Sequence, residues 1–417
     1  MKALLAAATL LIGALAAPHA QAGDYQTNFA DTTLRIDFAF SGACDGSAPT
    51  IAFSELSKYK GWGGRRVNLT HALSKGAADV TMTDPATGDT LYINPFNTLF
   101  QEWLVSGDES GVRTMEGTVL LPYPRKKVDV TINLRDNRRQ TVASSTLKVD
   151  PLDILIADHT SRLPQPHSYL YRGENPDTAK ISVAILGEGF TAEEMPKFMD
   201  KAREAVDAIL DHEPFASMAD SFDFIAVETP SRDSGVSVPR TGLWLDTPFG
   251  SHFSTFYSDR YLTTPHVHDL YDAITSTPAQ HLIVLANTDE YGGGGIYNFY
   301  TLTTAGNEAF HPVVVHEFGH SFGALADEYY YEGEMDNTYP LDIEPWEPNI
   351  TTKVDFNQKW QNLIDEGRSG LIEGAGYRAK GIFRGNEDCR MRTNTAQAFC
   401  PVCQQAIREQ ILWLTKP

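Results

Sequence analysis

The stretch EAFHPVVVHEFGHSFGALADEY, residues 308–329, is apolar at helical spacing: Val314, Phe318, Phe322 and Leu325 recur at intervals of four, four and three. A helix patterned in this way has to be buried. It nevertheless carries His316 and His320, four residues apart and therefore on one face. Buried imidazoles need partners, so only a fold that closes polar groups or an ion around them is admissible. Two imidazoles at this spacing can point at one zinc ion, and Glu317, offset by one residue, can reach past that ion to its water. A zinc held by three protein ligands keeps one position open, where it acidifies water and lets a carboxylate take the proton. His316 and His320 are thus read as metal ligands and Glu317 as a general base.

A third ligand has to come from downstream. Gly323 stands three residues after His320, as in metzincins, where the glycine turns the chain back beneath the metal. The metzincin third ligand would then fall on Ala326, which cannot bind zinc. Asp327 and Glu328 follow directly. Asp327 is taken as the ligand and Glu328 as the alternative. Against both stands the reading of surface carboxylates, but negative charge at a helix C-terminus is unfavourable without a specific task. Met391, in NEDCRMRTN, is a candidate for an apolar floor below the metal or for plain core packing.

The chain opens with MKALLAAATLLIGALAAPHAQAGDY: a positive start, an apolar run and the small-residue site AQA. This predicts a signal peptide over 1–22, cleaved after Ala22, and an exported, secreted or periplasmic chain with no membrane anchor. The net charge of −20 opposes nucleic acid and anionic membranes as partners. Three of the four cysteines, Cys389, Cys400 and Cys403, cluster near the end, and Cys44 stands apart. An oxidising compartment predicts a bridge from Cys389 to Cys400 or Cys403. A zinc site at CPVC competes, but one CxxC without a second pair is a weak signal.

Alternating patterns at 33–40 and 128–136, with turns such as DPATGD between them, predict an antiparallel β domain over 23–156, a sandwich. A proline-rich, polar segment over 157–180 reads as a linker or docking strap. From 181 the pattern changes to buried strands (ISVAILGEGF, FDFIAVE, HLIVLAN) mixed with helices, an α/β layered domain over 181–417. TAEE at 191–194 is a capping box opening a helix. YGGGGIYNFYTLTT reads as a glycine-rich turn followed by an edge strand over about 297–303 beside a cleft, where an extended peptide adds as a further strand.

HEFGHSFGALADEY resembles the motif of the bacterial IgA-peptidase family of zinc metallopeptidases. ILGEGFTAEEMPKF, CRMR and FCPVC are similar to the start and end of that family's catalytic domain, and TLRIDFAFSG, WGGRRVNL and NTLFQEW to its amino-terminal β domain. The resemblance implies a zincin-type, metzincin-like domain and endopeptidase activity on protein or peptide substrates. It carries His316, His320 and Asp327 over as Zn2+ ligands and Glu317 as the base. Ala324 stands where many relatives are expected to have glycine. Tyr329, Tyr330 and His311 are the candidates for stabilising an oxyanion. Readings from other classes are an adhesion protein with a structural zinc and a zinc hydrolase of non-peptide substrates.

Overall fold

The structure, a computed structural model, describes residues 25–106, 111–332 and 338–417. The expected signal peptide, 1–22, lies outside the described residues. Residues 29–158 form two four-stranded sheets. In the first, Phe29–Gly42 pairs antiparallel with both Thr50–Lys60 and Arg113–Pro124. The second runs in the order Thr90–Phe96, Ala78–Thr83, Val128–Arg135, Thr141–Val149, antiparallel throughout. Val128–Arg135 shows why: every second side chain is buried, the period at which successive residues of a strand face opposite ways. Leu34, Ile36 and Phe38 of the first sheet share one core with Val80, Met82, Val130 and Ile132 of the second. A helix at Leu99–Ser106, not anticipated from the strand-rich pattern, drives Phe100 and Trp103 into the same core.

The segment 157–180 is built into both halves. Ala157–Asp158 adds to the first sheet beside Thr50–Lys60. His167–Arg172 pairs antiparallel with Phe222–Val227 and forms the outer edge of the following sheet. Backbone hydrogen bonds, not a free spacer, therefore join the two halves.

That following sheet has six strands, in the order Gly293–Ile296, Tyr300–Thr304, His281–Ala286, Ile181–Glu188, Phe222–Val227, His167–Arg172. The four inner strands are parallel and the two outer ones antiparallel. Inner parallel strands are covered on both faces, which accounts for the near-continuous apolar run of Ile181–Glu188. Val183 and Ile185 face a core shared with helices Met195–Leu210, Phe310–Gly323 and Pro401–Thr415. Ala184 and Leu186 face the opposite core, with Phe253 and Leu270. The capping box is present: the Thr191 amide donates to the Glu194 carboxylate at 2.9 Å, and the chain enters Met195–Leu210 through a short 3-10 turn.

The glycine run departs from expectation. Gly293–Ile296 is not a turn but the edge strand itself, and Tyr300–Thr304 lies one place further in. Four successive glycines carry no strand signal in a sequence. Here they allow an approach that no other residue permits: a Cβ on Gly295 would collide with the carbonyl of Glu317 on the motif helix, and one on Gly293 would stand 2.9 Å from the Glu317 carboxylate.

His281 begins an inner strand, with its ring against Phe322 at 5.1 Å. Burial pushes its imidazole down to about 4. Below about 6.5 the unfolded chain takes up a proton that the folded chain refuses until about pH 4, so stability should fall as pH drops through that window, by up to about 3 kcal/mol. Urea midpoints of metal-free wild type and His281→Leu at pH 7.5 and 4.5 test this. The variant should lose less between the two pH values, and equal losses would refute the assignment.

Candidate metal centre

The motif helix Phe310–Gly323 is buried along Val314, Phe318 and Phe322, as its periodicity requires, and it turns His316 and His320 into a cleft of about 920 Å³. The two Nε2 atoms stand 3.0 Å apart. Each Nδ1 faces a backbone carbonyl, His316 that of Arg390 at 2.9 Å and His320 that of Leu325 at 2.6 Å. A carbonyl only accepts, so both Nδ1 atoms carry the proton and, in the neutral rings, both Nε2 atoms present lone pairs to one another. Such a pair is repulsive unless a cation or a proton lies between. Outer hydrogen bonds of this kind are how metal-binding imidazoles are oriented.

The carboxylate of Asp327 completes the cluster. Its Oδ1 lies 3.0 Å from His316 Nε2 and 3.3 Å from His320 Nε2, yet without the alignment of a hydrogen bond. Its Oδ2 accepts from the Tyr377 hydroxyl at 2.5 Å. Three donor atoms spaced by 3.0–3.3 Å approximate one face of a tetrahedral zinc site, whose nitrogen and oxygen ligands at about 2.0–2.1 Å stand roughly 3.4 Å apart. The residues present therefore fit a zinc ion. Burial disfavours a charged His320, but the adjoining Asp327 carboxylate outweighs it and raises its imidazole to about 9. Burial also works against the charge of Asp327, and the histidines overcome it, holding its carboxyl well below the usual range.

Glu317 approaches both imidazoles to within 4.8 Å, further than Asp327 does. It faces the edge strand, against Gly293 and Gly295. Burial pushes its carboxyl up, opposed by the charge of His316 and His320. A raised carboxyl is the tuning a group needs to take a proton and return it.

The chain leaves the helix at Ala324, not Gly323. Ala324 adopts the left-handed conformation (φ 53°), and its amide caps the helix on the carbonyls of Gly319 and His320. Gly323 is the last helical residue, where a Cβ would stand 3.2 Å from both Ile407 and Leu325. After this turn Asp327 points to the imidazoles while Glu328 points away, into a cluster of cysteines. Met391 is fully buried against the motif helix, its sulfur 2.7 Å from where a Cβ on Gly319 would stand. Of the three oxyanion candidates, Tyr329 and Tyr330 line the cleft. His311 does not; it sits exposed at the start of the helix, 3.1 Å from Glu204. The expected disulfide is also not formed. None of Cys389, Cys400 and Cys403 is bridged, and the Cys389 and Cys403 sulfurs stand 3.6 Å apart.

Sequence reasoning missed three contributors. Tyr377 comes from a distant segment without any motif, and the Arg390 carbonyl is a backbone group that no residue type in CRMR announces. Glu102, on the helix of the N-terminal half, lines the cleft and accepts from the Tyr261 hydroxyl at 2.6 Å.

Residues 172–369 and 366–411 match the family described as IgA Peptidase M64, and residues 24–145 match that described as Peptidase M64 N-terminus. The chain belongs to the M64 peptidase family. Membership places it among peptidases, with proteins or peptides as the substrate class. The M64 N-terminus accounts for the β-rich first half, so the architecture is two-part. Among solved structures, metalloproteinase-II from Bacteroides fragilis is 10% identical, covering 59% of this chain and 84% of its own with a TM-score of 0.23, a likeness too slight to carry an argument. No curated protein matches the chain.

Tyr377 supports Asp327 through one hydrogen bond. Tyr377→Phe should weaken zinc binding by roughly tenfold to a hundredfold, the usual cost of losing such an outer partner. Asp327→Ala should weaken it much further. Zinc dissociation constants measured at one pH check both, and an unchanged constant in Asp327→Ala would remove that residue from the cluster.

Proposed function

We propose that the protein is a secreted, zinc-dependent endopeptidase, with a β-sandwich preceding a zincin-type domain. The observation that carries this reading is the convergence of His316 Nε2, His320 Nε2 and Asp327 Oδ1, with both outer imidazole N–H groups committed to carbonyls. A zinc ion held there supplies a Lewis acid for a scissile carbonyl and acidifies the attacking water. Glu317 takes that water's proton and passes it to the leaving amine, a role suited to a carboxyl already raised by burial. Tyr329, whose phenol burial keeps protonated, is a hydrogen-bond donor available to the carbonyl oxygen as it gains charge. The edge strand Gly293–Ile296 borders the cleft beside Glu317 and gives an extended substrate backbone a line to follow. The signal-peptide pattern at 1–22 supports export.

The decisive variant is Glu317→Gln. It should retain zinc and fold while losing turnover of casein by about a hundredfold to ten-thousandfold, because an amide cannot accept the proton. Chelation should abolish wild-type cleavage and zinc should restore it. Full cleavage by Glu317→Gln at full zinc occupancy would overturn the assignment of the base. Chelator-resistant cleavage would overturn the zinc mechanism.

A further inference from the structure

Behind the cluster lies a second convergence of donor atoms. The sulfurs of Cys389, Cys400 and Cys403 and a carboxylate oxygen of Glu328 all lie within 4.8 Å of one another. The Cys389 and Cys403 sulfurs are 3.6 Å apart, and Glu328 Oε1 is 3.1 Å from Cys403 Sγ and 3.8 Å from Cys400 Sγ. Glu328, Cys389 and Cys403 are wholly buried and Cys400 is 4% exposed.

Three features show that this is more than a polar pocket. The first is spacing. With zinc–sulfur bonds of about 2.3 Å and zinc–oxygen bonds of about 2.0 Å, a tetrahedral site has edges of roughly 3.8 Å between sulfurs and about 3.5 Å from sulfur to oxygen. The Cys389–Cys403 distance falls just short of the first value and the two distances to Glu328 lie on either side of the second, whereas a disulfide needs its sulfurs about 2.05 Å apart. The second is Glu328 itself. Its Oε1 accepts from Asn349 Nδ2 at 3.0 Å, but its Oε2 has no hydrogen-bond partner among the described residues. A wholly buried carboxyl left in this way is either neutral or matched by a positive charge. A disulfide between any two of the three cysteines would supply no such charge to Glu328. The third is the local backbone. The Cys400 amide donates to Cys389 Sγ at 3.2 Å, and Cys400 and Cys403 stand at the N-terminus of the helix Pro401–Thr415, where thiolates are favoured.

We propose that Cys389, Cys400, Cys403 and Glu328 bind a second, structural zinc ion. Four protein donors close the coordination sphere, so this ion has no open position and no part in chemistry. Its effect is mechanical. Glu328 is the neighbour of Asp327, and its amide donates to the Met391 carbonyl at 2.9 Å. Between Cys389 and Met391 stands Arg390, whose carbonyl orients His316. One ion thus ties together the segment that delivers Asp327 and the segment that aims His316. The site stands without the proposed peptidase mechanism; only its mechanical effect rests on that reading.

The test uses the full chain purified without reductant, as wild type and as the His316→Ala/His320→Ala double variant, which lacks the first cluster's imidazoles. Wild type should hold two zinc equivalents and the double variant one. Cobalt exchanged into the double variant should give the near-ultraviolet band of thiolate-to-cobalt charge transfer, which histidine and carboxylate ligands cannot produce. All four cysteines should react with a thiol reagent after denaturation in chelator. Glu328→Gln should lower affinity for the second equivalent by at least tenfold and leave the thiol count at four. Two unreactive cysteines in the wild type would show a disulfide and overturn the proposal. Absence of the cobalt band from the double variant would overturn it as well. A wild type whose single zinc persists in the double variant with that band would sustain this site and sink the catalytic one.

Discussion

Two imidazole nitrogens held 3.0 Å apart, each with its outer N–H given to a carbonyl, set the terms for everything around them. A helix alone brings His316 and His320 to one face. It does not aim them, because each ring turns freely about two bonds. The carbonyls that fix them come from outside the helix. Leu325 returns beneath the last turn after the left-handed Ala324 cap, and Arg390 arrives from a loop near the C-terminus. Met391 can hold that loop close only because Gly319, between the two histidines, has no side chain.

The other wall of the cleft depends on the contact between the motif helix and the edge strand. Glycines at 293 and 295 bring backbone to backbone and set Glu317 against the strand. The N-terminal half closes the far side. Glu102 meets Tyr261, the Asn97 amide donates to the Tyr297 carbonyl at 2.9 Å, and Asn298 reaches the Pro95 carbonyl at 2.8 Å. Arg65, buried in the first half, stacks between Tyr92 and Trp413 of the C-terminal helix. The β-rich half is thus part of the cleft's structure and not an appendage to it.

Asp327 and Glu328 divide the region between two tasks. The same chemical group, on adjacent residues, meets imidazoles in one case and thiols in the other. Burial of both explains why neither behaves as a surface carboxylate: each is nearly or wholly enclosed, and each is matched to a different set of donors.

The sequence by itself determined the elements whose signals are local. Helical periodicity over 308–329 placed His316, Glu317 and His320 on a buried helix, alternation placed Val128–Arg135, and TAEE marked the entry to Met195–Leu210. These follow from propensity and spacing, which act within one or two turns of chain. Tertiary structure alone decided which member of the acidic pair faces the histidines, because that depends on where an irregular segment lies after a left-handed residue. It alone made a glycine run into an edge strand, since a helix passes over Gly293 and Gly295 while Phe253 and Tyr261 crowd Gly292 and Gly294. It alone brought Tyr377 to Asp327 and three cysteines to Glu328, across 50 residues and more than 60. Partners so far apart share no periodicity; only closure of the core, with its demand that every buried charge be matched, brings them together.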